Sequence, residues 1–186
     1  SIGHGASLFV IGAVMVHLVA HLNETLGYSL AAAANVVLVI TALTVFGMLL
    51  GGIFGDRFEK RYLLAVAMVG HTTALFVLTF AETLPWIIIF AMLHGISFGV
   101  RAPLTAAIRA DYFGRNSFGT LLGFSSMIIL IGMVTGPIAA GISYDLTGSY
   151  QTGFLLISAV GAIGSLFFLA SKQPPPPARL ALSKPN

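Results

Sequence analysis

Four side chains that can bind or protonate a ligand lie within long apolar stretches of this sequence: Arg101, His94, His17 and His21. A charged side chain at the centre of a bilayer costs about 2.5–3.5 kcal/mol or more, so an intramembrane cation is expected to have a function. His94 precedes Arg101 by seven residues, which places both on one helix face. A guanidinium and an imidazole on one face suit an organic anion, and both residues are therefore predicted to bind substrate.

Arg101 also has a purely structural interpretation. It approaches the end of its apolar stretch, so its side chain can extend to the headgroups or pair with Asp111 or a loop acid. Both interpretations stay open from the sequence alone. Two other histidines, His4 and His71, are interpreted as boundary residues near the ends of their stretches.

His17 and His21 stand four residues apart in the first apolar stretch. At this spacing they can relay a proton or hydrogen-bond a substrate, and they are included among the predicted substrate-binding residues. The alternative is an interfacial histidine that faces the headgroups. A metal site would need a third ligand, and the sequence offers none nearby, so no metal is predicted.

The elements that carry these residues are six apolar stretches, each long enough to cross a bilayer as a helix. Of the 186 residues, 57% are apolar and only 8% are charged, which excludes a soluble enzyme, a nucleic-acid-binding protein and a disordered chain. The fold class predicted is an all-α polytopic membrane protein. The six spans are predicted at about residues 2–22, 30–54, 62–80, 84–108, 118–142 and 152–170, within a unit of residues 1–171.

Basic residues are distributed on one side of this six-span arrangement. Eight of the nine Lys and Arg residues fall in the second break, the fourth break or the Pro-rich tail, residues 172–186, and the opposite breaks contain only Glu24, Glu82 and Asp145. This asymmetry places both termini and the tail in the cytoplasm, in an inner or plasma membrane.

The break after the second stretch carries the pattern G-x-x-x-D-R-x-x-[KR]-R. Glycine permits close helix approach, and an aspartate can be held by a helix N-terminus or by arginines. The pattern resembles the loop signature of the major facilitator superfamily, with Glu59 in place of the usual second glycine. A topogenic basic loop is the alternative. The resemblance implies a gating loop formed by Gly52, Asp56, Arg57, Lys60 and Arg61.

The fifth stretch contains a second motif, G-x-x-x-G-P-x-x-x-G, which resembles an element of the equivalent helix in halves of that superfamily. Small residues allow close packing, and a proline frees a carbonyl and permits a bend. Packing and kinking are therefore expected from Gly132, Gly136, Pro137 and Gly141.

A third pair of segments, residues 110–120 and 144–150, resembles the monocarboxylate porter and oxalate–formate antiporter branch. The resemblance implies the C-terminal six-helix half of a twelve-helix transporter, with a missing N-terminal half as partner. It also implies secondary transport of a small organic anion, with a monocarboxylate as the substrate class, by proton symport or exchange. Because the chain opens with Ser1 rather than Met, it is expected to be a fragment.

Two alternatives to this function remain. One is a half-size homodimerising transporter, or a porter for a neutral or cationic solute. The other is an intramembrane serine protease, since residues 95–99 read G-x-S-x-G. The sixth stretch contains no histidine to activate Ser97, so we predict that the chain is not an enzyme. The sequence lacks a phosphate-binding G-x-x-x-x-G-K-[ST] motif, and no cofactor is predicted.

Overall fold

The computed structural model describes residues 1–113 and 118–172, and these residues form six long helices without a β-strand. All six are long and apolar enough to cross a membrane, so the predicted all-α class is confirmed. A π-helical turn, His21–Thr25, continues the first helix. The helices are α1 (Ile2–Ala20), α2 (Leu30–Gly55), α3 (Lys60–Thr79), α4 (Leu84–Phe113), α5 (Phe118–Thr147) and α6 (Tyr150–Ala170). Residues 173–186 of the predicted tail lie outside the described part.

Two helices continue past the ends expected from their apolar residues. α4 reaches Phe113 rather than Ile108, and α5 reaches Thr147 rather than Ile142. The polar side chains of these last turns are engaged in contacts, since Arg109 donates to His4 and Asp111 pairs with Lys60. A helix in this zone can extend beyond the hydrocarbon because its backbone hydrogen bonds are internal.

The helices pack in the order α2, α4, α3, α6, α1 and α5, with α5 also touching α6. α2 and α5 therefore stand at the two ends of the series. In their most apolar windows only 28% and 11% of the residues are buried, against 44–56% in the other four helices. These two helices consequently have the largest outward faces, which lipid or another helical unit would cover.

Glycines set the distance between the helices that pack most closely. A Cβ atom built on Gly99 of α4 would overlap the Thr44 carbonyl of α2, and one on Gly47 would lie 2.5 Å from the Ile96 carbonyl. Gly132 and Gly136 of α5 likewise face the carbonyls of Gly5 and Phe9 in α1. Backbones at this distance gain dispersion contacts, on which helix association in lipid depends.

We predict that Gly136→Ala lowers the melting temperature of the detergent-solubilised protein, because the added methyl group overlaps the Phe9 carbonyl. Overpacking of this kind typically costs about 1–3 kcal/mol. The matched control is Gly123→Ala in the same helix, where no described atom lies near the added Cβ and higher helix propensity should contribute up to about 1 kcal/mol. Equal melting temperatures for the two variants would contradict the packing assigned to Gly136.

Candidate functional site

The face of α4 directed into the bundle carries two buried polar side chains, His94 (0% exposed) and Arg101 (2% exposed). Gly95 and Gly99 of the same helix contact the backbone of α2 and so fix the rotation of α4. The glycines of the G-x-S-x-G segment therefore have a packing role. His94 and Arg101 therefore lie on one face of α4, as the sequence spacing predicts, and this face is directed into the interior of the bundle.

Arg101 is a buried cation whose charge no carboxylate neutralises within the described residues. Its Nε and Nη1 atoms have no hydrogen-bond partner, and its Cζ atom lies 5.6 Å from the centre of the Phe98 ring. Asp111, the expected acidic partner, instead forms an ion pair with Lys60 at 2.8 Å. Because α4 continues to Phe113, Arg101 lies about 18 Å from the helix end at 1.5 Å per residue. The guanidinium is thus enclosed by protein.

His71 joins this site from α3, so its interpretation as a boundary residue is wrong. It lies near the middle of α3 and is fully buried. Its ring centre is 4.8 Å from that of His94 and 6.2 Å from that of Phe98, and its nitrogens have no hydrogen-bond partner. We call His71, His94 and Arg101 the α3–α4 cluster. The pattern of a single helix cannot reveal this pairing, because it arises from the packing of two helices.

His17 and His21 lie at the opposite end of α1 and do not join the α3–α4 cluster. His17 donates from Nε2 to the Pro137 carbonyl at 3.0 Å, and its Nδ1 lies 3.2 Å from the Tyr150 hydroxyl, which donates to it in that tautomer. His21 is buried with its ring edge-on to Tyr150 and Phe154. Both rings therefore link α1 to its neighbours, and their role in substrate binding stays a prediction.

The motif of α5 divides between close packing and histidine contact. Gly132 and Gly136 abut α1, as described above. Pro137 lacks an amide hydrogen for the Met133 carbonyl, and a Cβ atom on Gly12 of α1 would lie 2.5 Å from that carbonyl. A Cβ atom on Gly141 would lie 3.7 Å from the His17 ring, which is an ordinary van der Waals contact. Small residues are therefore required at Gly132 and Gly136, where the two backbones meet.

A cavity of about 510 Å³ opens between α1, α4, α5 and α6 at the end of the bundle that carries the basic loops. Its wall includes Thr105, one helical turn from Arg101, and then Arg109 further along α4. Arg109 donates from Nη2 to Nδ1 of His4 at 2.6 Å. Lys172 also lines the cavity. Apolar side chains from Ile108, Phe167 and Phe168 complete it, so the space combines cations with apolar surface.

The predicted gating loop joins α2 to α3 at the same end. Lys60 connects it to α4 through Asp111, and Arg61 pairs with Glu59 at 2.5 Å. α4 packs on Gly51 and Gly55, whereas a Cβ atom on Gly52 would meet no described atom. The loop is therefore attached to α4 through its lysine.

Asp56 is exposed and caps the C-terminus of α2, rather than lying at a helix N-terminus as the loop pattern suggests. Its neighbour Arg57 is exposed as well, and no ion pair within residues 1–113 and 118–172 involves either side chain. A carboxylate at the negative end of a helix dipole is disfavoured. The helix dipole therefore does not stabilise Asp56 at this position.

Comparison with known proteins gives one family and several distant relatives. The sequence profile of the Major Facilitator Superfamily matches residues 1–185. A "Triacylglyceride transporter" of Mycobacteroides abscessus is 26% identical over 83% of the chain and 31% of its own length. "Monocarboxylate transporter 13" of Rattus norvegicus is 28% identical over 81% of the chain and 35% of its own length. The "Multi-drug resistance efflux pump PmrA" of Streptococcus pneumoniae is 29% identical over 64% of the chain and 28% of its own length. The chain thus spans about a third of these relatives.

We predict that a cysteine in place of Ile108 reacts severalfold faster with anionic 2-sulfonatoethyl methanethiosulfonate than with its cationic trimethylammonium analogue. Arg109 and Lys172 line the same cavity, and their positive charges raise the local concentration of anions. The sequence has no cysteine, so the introduced thiol is the only one in this chain that can react with the reagent. Rates are measured by mass spectrometry and normalised to a free thiol.

The control is a cysteine in place of Gln151, which is exposed at the opposite end of the bundle. The charged side chains of the breaks at that end are Glu24, Glu82 and Asp145, so the cationic reagent should react at least as fast there. The same reagent preference at both positions would show that the cavity does not attract anions.

Proposed function

This chain belongs to the major facilitator superfamily, and from that premise we propose that it is the C-terminal six-helix half of a secondary transporter for a small organic anion. The substrate class is a monocarboxylate, moved by proton symport or exchange through alternating access. Family membership and the transporter names of the relatives confirm the prediction that the chain is not an enzyme.

The observation that carries the proposal is the burial of Arg101 without a neutralising carboxylate in the described residues. An uncompensated charge in a low-dielectric interior is costly, so a protein retains one where a ligand of opposite charge binds. A planar carboxylate can accept two parallel hydrogen bonds from a guanidinium. The Nε and Nη1 atoms of Arg101 are buried without a hydrogen-bond partner, so the guanidinium has donors left for a carboxylate.

The basic cavity supports a route to Arg101. Thr105 lines the cavity and lies one turn from Arg101 on α4, so an anion attracted by Arg109 and Lys172 would advance along this helix. Apolar walls at Ile108 and Phe168 suit the short hydrocarbon part of a monocarboxylate. His94 lies two turns deeper and would contact the substrate beyond Arg101. In this proposal His17 and His21 would line the path at the opposite end.

The relatives support transport more firmly than they support one substrate. One is named a monocarboxylate transporter, and another is named a multi-drug efflux pump. A neutral or cationic solute remains the second candidate because of that second name. Arg101 of the α3–α4 cluster and the cations of the cavity favour the anion.

The partner that we propose is an N-terminal six-helix half that covers the outward faces of α2 and α5. These helices stand at the ends of the packing order and bury the smallest share of their residues. A second copy of this chain is the alternative. In either arrangement the two units rock about a central site in the superfamily's usual manner.

We further propose that the basic end of the bundle lies in the cytoplasm, in an inner or plasma membrane, with both termini on that side. Arg57, Lys60, Arg61, Arg109 and Lys172 support this orientation, since all lie at one end. The anionic reagent used on Ile108→Cys would then react in inside-out vesicles and not in sealed right-side-out vesicles.

Arg101→Lys in the complete transporter that contains this chain should raise the KM for a radiolabelled monocarboxylate about tenfold. Lysine cannot form the bidentate pair, and a charge-assisted hydrogen bond contributes about 1.5–3 kcal/mol. Arg101→Gln should lower uptake further because no cation remains. The control Arg179→Lys, in the tail, should leave KM unchanged. An unchanged KM in Arg101→Lys would instead assign Arg101 a structural role.

Asp56→Asn should lower the rate of transport several-fold while surface expression stays normal. The carboxylate caps the negative end of α2 without a partner in the described residues, so we propose that it latches onto the missing half in one gate state. Gly52 and Arg57 adjoin it and would face the same partner. Glu59→Gln serves as the matched control, because Glu59 already pairs with Arg61 in its own loop. Similar effects of the two substitutions would indicate a loop that only sets topology.

A further inference from the structure

His71 and His94 form a buried imidazole pair that the anion site proposed above does not explain. Their rings meet edge to face at 4.8 Å between α3 and α4, and none of the four ring nitrogens has a hydrogen-bond partner. A neutral imidazole has one donor and one acceptor, and each of these groups costs about 1–3 kcal/mol when it is buried without a hydrogen-bond partner. Packing alone would favour two apolar side chains at these positions. The pair therefore indicates a role that needs ionisable nitrogens.

We infer that the His71–His94 pair is the proton-binding half of the α3–α4 cluster, and that it takes up one proton when an organic anion binds beside Arg101. This inference rests on the proposed function and assigns the coupling of that function to proton symport. A ring nitrogen of His71 accepts the proton from the solvent, and no covalent bond of the anion changes. His71 thereby acts in proton coupling rather than in anion binding, from a helix that the sequence did not implicate.

The charges around the pair make the coupling reciprocal. The empty cluster carries the single positive charge of Arg101, and a bound carboxylate brings the sum to zero. A proton on the pair then restores the original charge, so empty and fully loaded clusters carry the same charge. Each ligand offsets the repulsion or the desolvation that the other would meet alone, so the coupling free energy between anion and proton is favourable and binding is cooperative.

No other charged group of the packed helices competes for this role. α3 packs mainly on α4 and α6, with minor contacts to α1 and α2. From α4 the pair faces Arg101, and the described α6 and α2 contain no acidic, basic or histidine side chain. On α1, His4 is bonded to Arg109 and His17 to Pro137, while His21 lies against Tyr150. Around His94, the wall formed by Val14, Val37 and Ile40 is apolar.

The test uses the complete transporter in proteoliposomes and the variant His71→Gln, which keeps a hydrogen-bonding amide but cannot bind a proton. Two rates are compared for one radiolabelled monocarboxylate: anion–anion exchange at equal pH, and net uptake driven by a pH gradient. We expect exchange to stay within about twofold of wild type, because Arg101 is intact. Net proton-driven uptake should fall by about tenfold or more.

Direct proton counting gives a second readout. Addition of the monocarboxylate to weakly buffered wild-type transporter should withdraw about one proton per bound anion, and His71→Gln should withdraw none. Thr73→Ala, at an exposed position two residues further along α3, is the control and should behave as wild type in both assays.

The outcomes separate this inference from the function on which it rests. Wild-type transporter that neither binds nor moves any organic anion overturns both. Anion transport that remains fully proton-coupled in His71→Gln overturns the inference alone and leaves the anion site standing. Parallel loss of exchange and net uptake in both His71→Gln and His71→Asn assigns His71 to packing and likewise overturns the inference.

Discussion

Close approach of helix backbones is the constraint on which the rest of this structure depends. Lipid tails are as apolar as leucine, so burial of apolar side chains does not by itself drive these helices together. Glycines on α2 and α4 instead allow the two backbones to meet, and Gly132 and Gly136 do the same between α5 and α1. The first of these contacts fixes the rotation of α4. Because that rotation is fixed, His94 and Arg101 cannot turn outward to lipid or water.

The consequence is a polar interior within a mostly apolar bundle. Arg101 is enclosed by protein, and α3 brings His71 against the same face. Hydrophobic replacement would stabilise such a core more simply, since buried charges often cost more than they contribute. The cluster is therefore better explained by ligand binding than by stability. The cations of the nearby cavity fit the same ligand, because they continue along α4 from Arg101 toward the basic end.

Hydropathy and charge asymmetry were sufficient to predict six helices, and spacing was sufficient to place His94 and Arg101 on one face. Two features were beyond single-helix reasoning. The helix α4 continues past the predicted span end at Ile108 to Phe113. Arg109 and Asp111 have the composition of a loop, but contacts with His4 and Lys60 allow them to remain helical. His71 was assigned to a boundary because its partner, His94, is distant in sequence and near only after α3 packs on α4.

The separation of the histidines into two groups follows from the same packing order. α1 packs mainly on α5 and α6, so His17 bonds to Pro137 there. His21 lies against Tyr150 and Phe154, and its ring nitrogens have no hydrogen-bond partner. α3 lies directly against α4, so His71 contacts His94, and neither ring has a hydrogen-bond partner for its nitrogens. Within the described residues, only the α3–α4 cluster combines histidine nitrogens that lack hydrogen-bond partners with an adjacent arginine that no carboxylate neutralises. Proton and anion chemistry are for that reason expected between α3 and α4 rather than along α1.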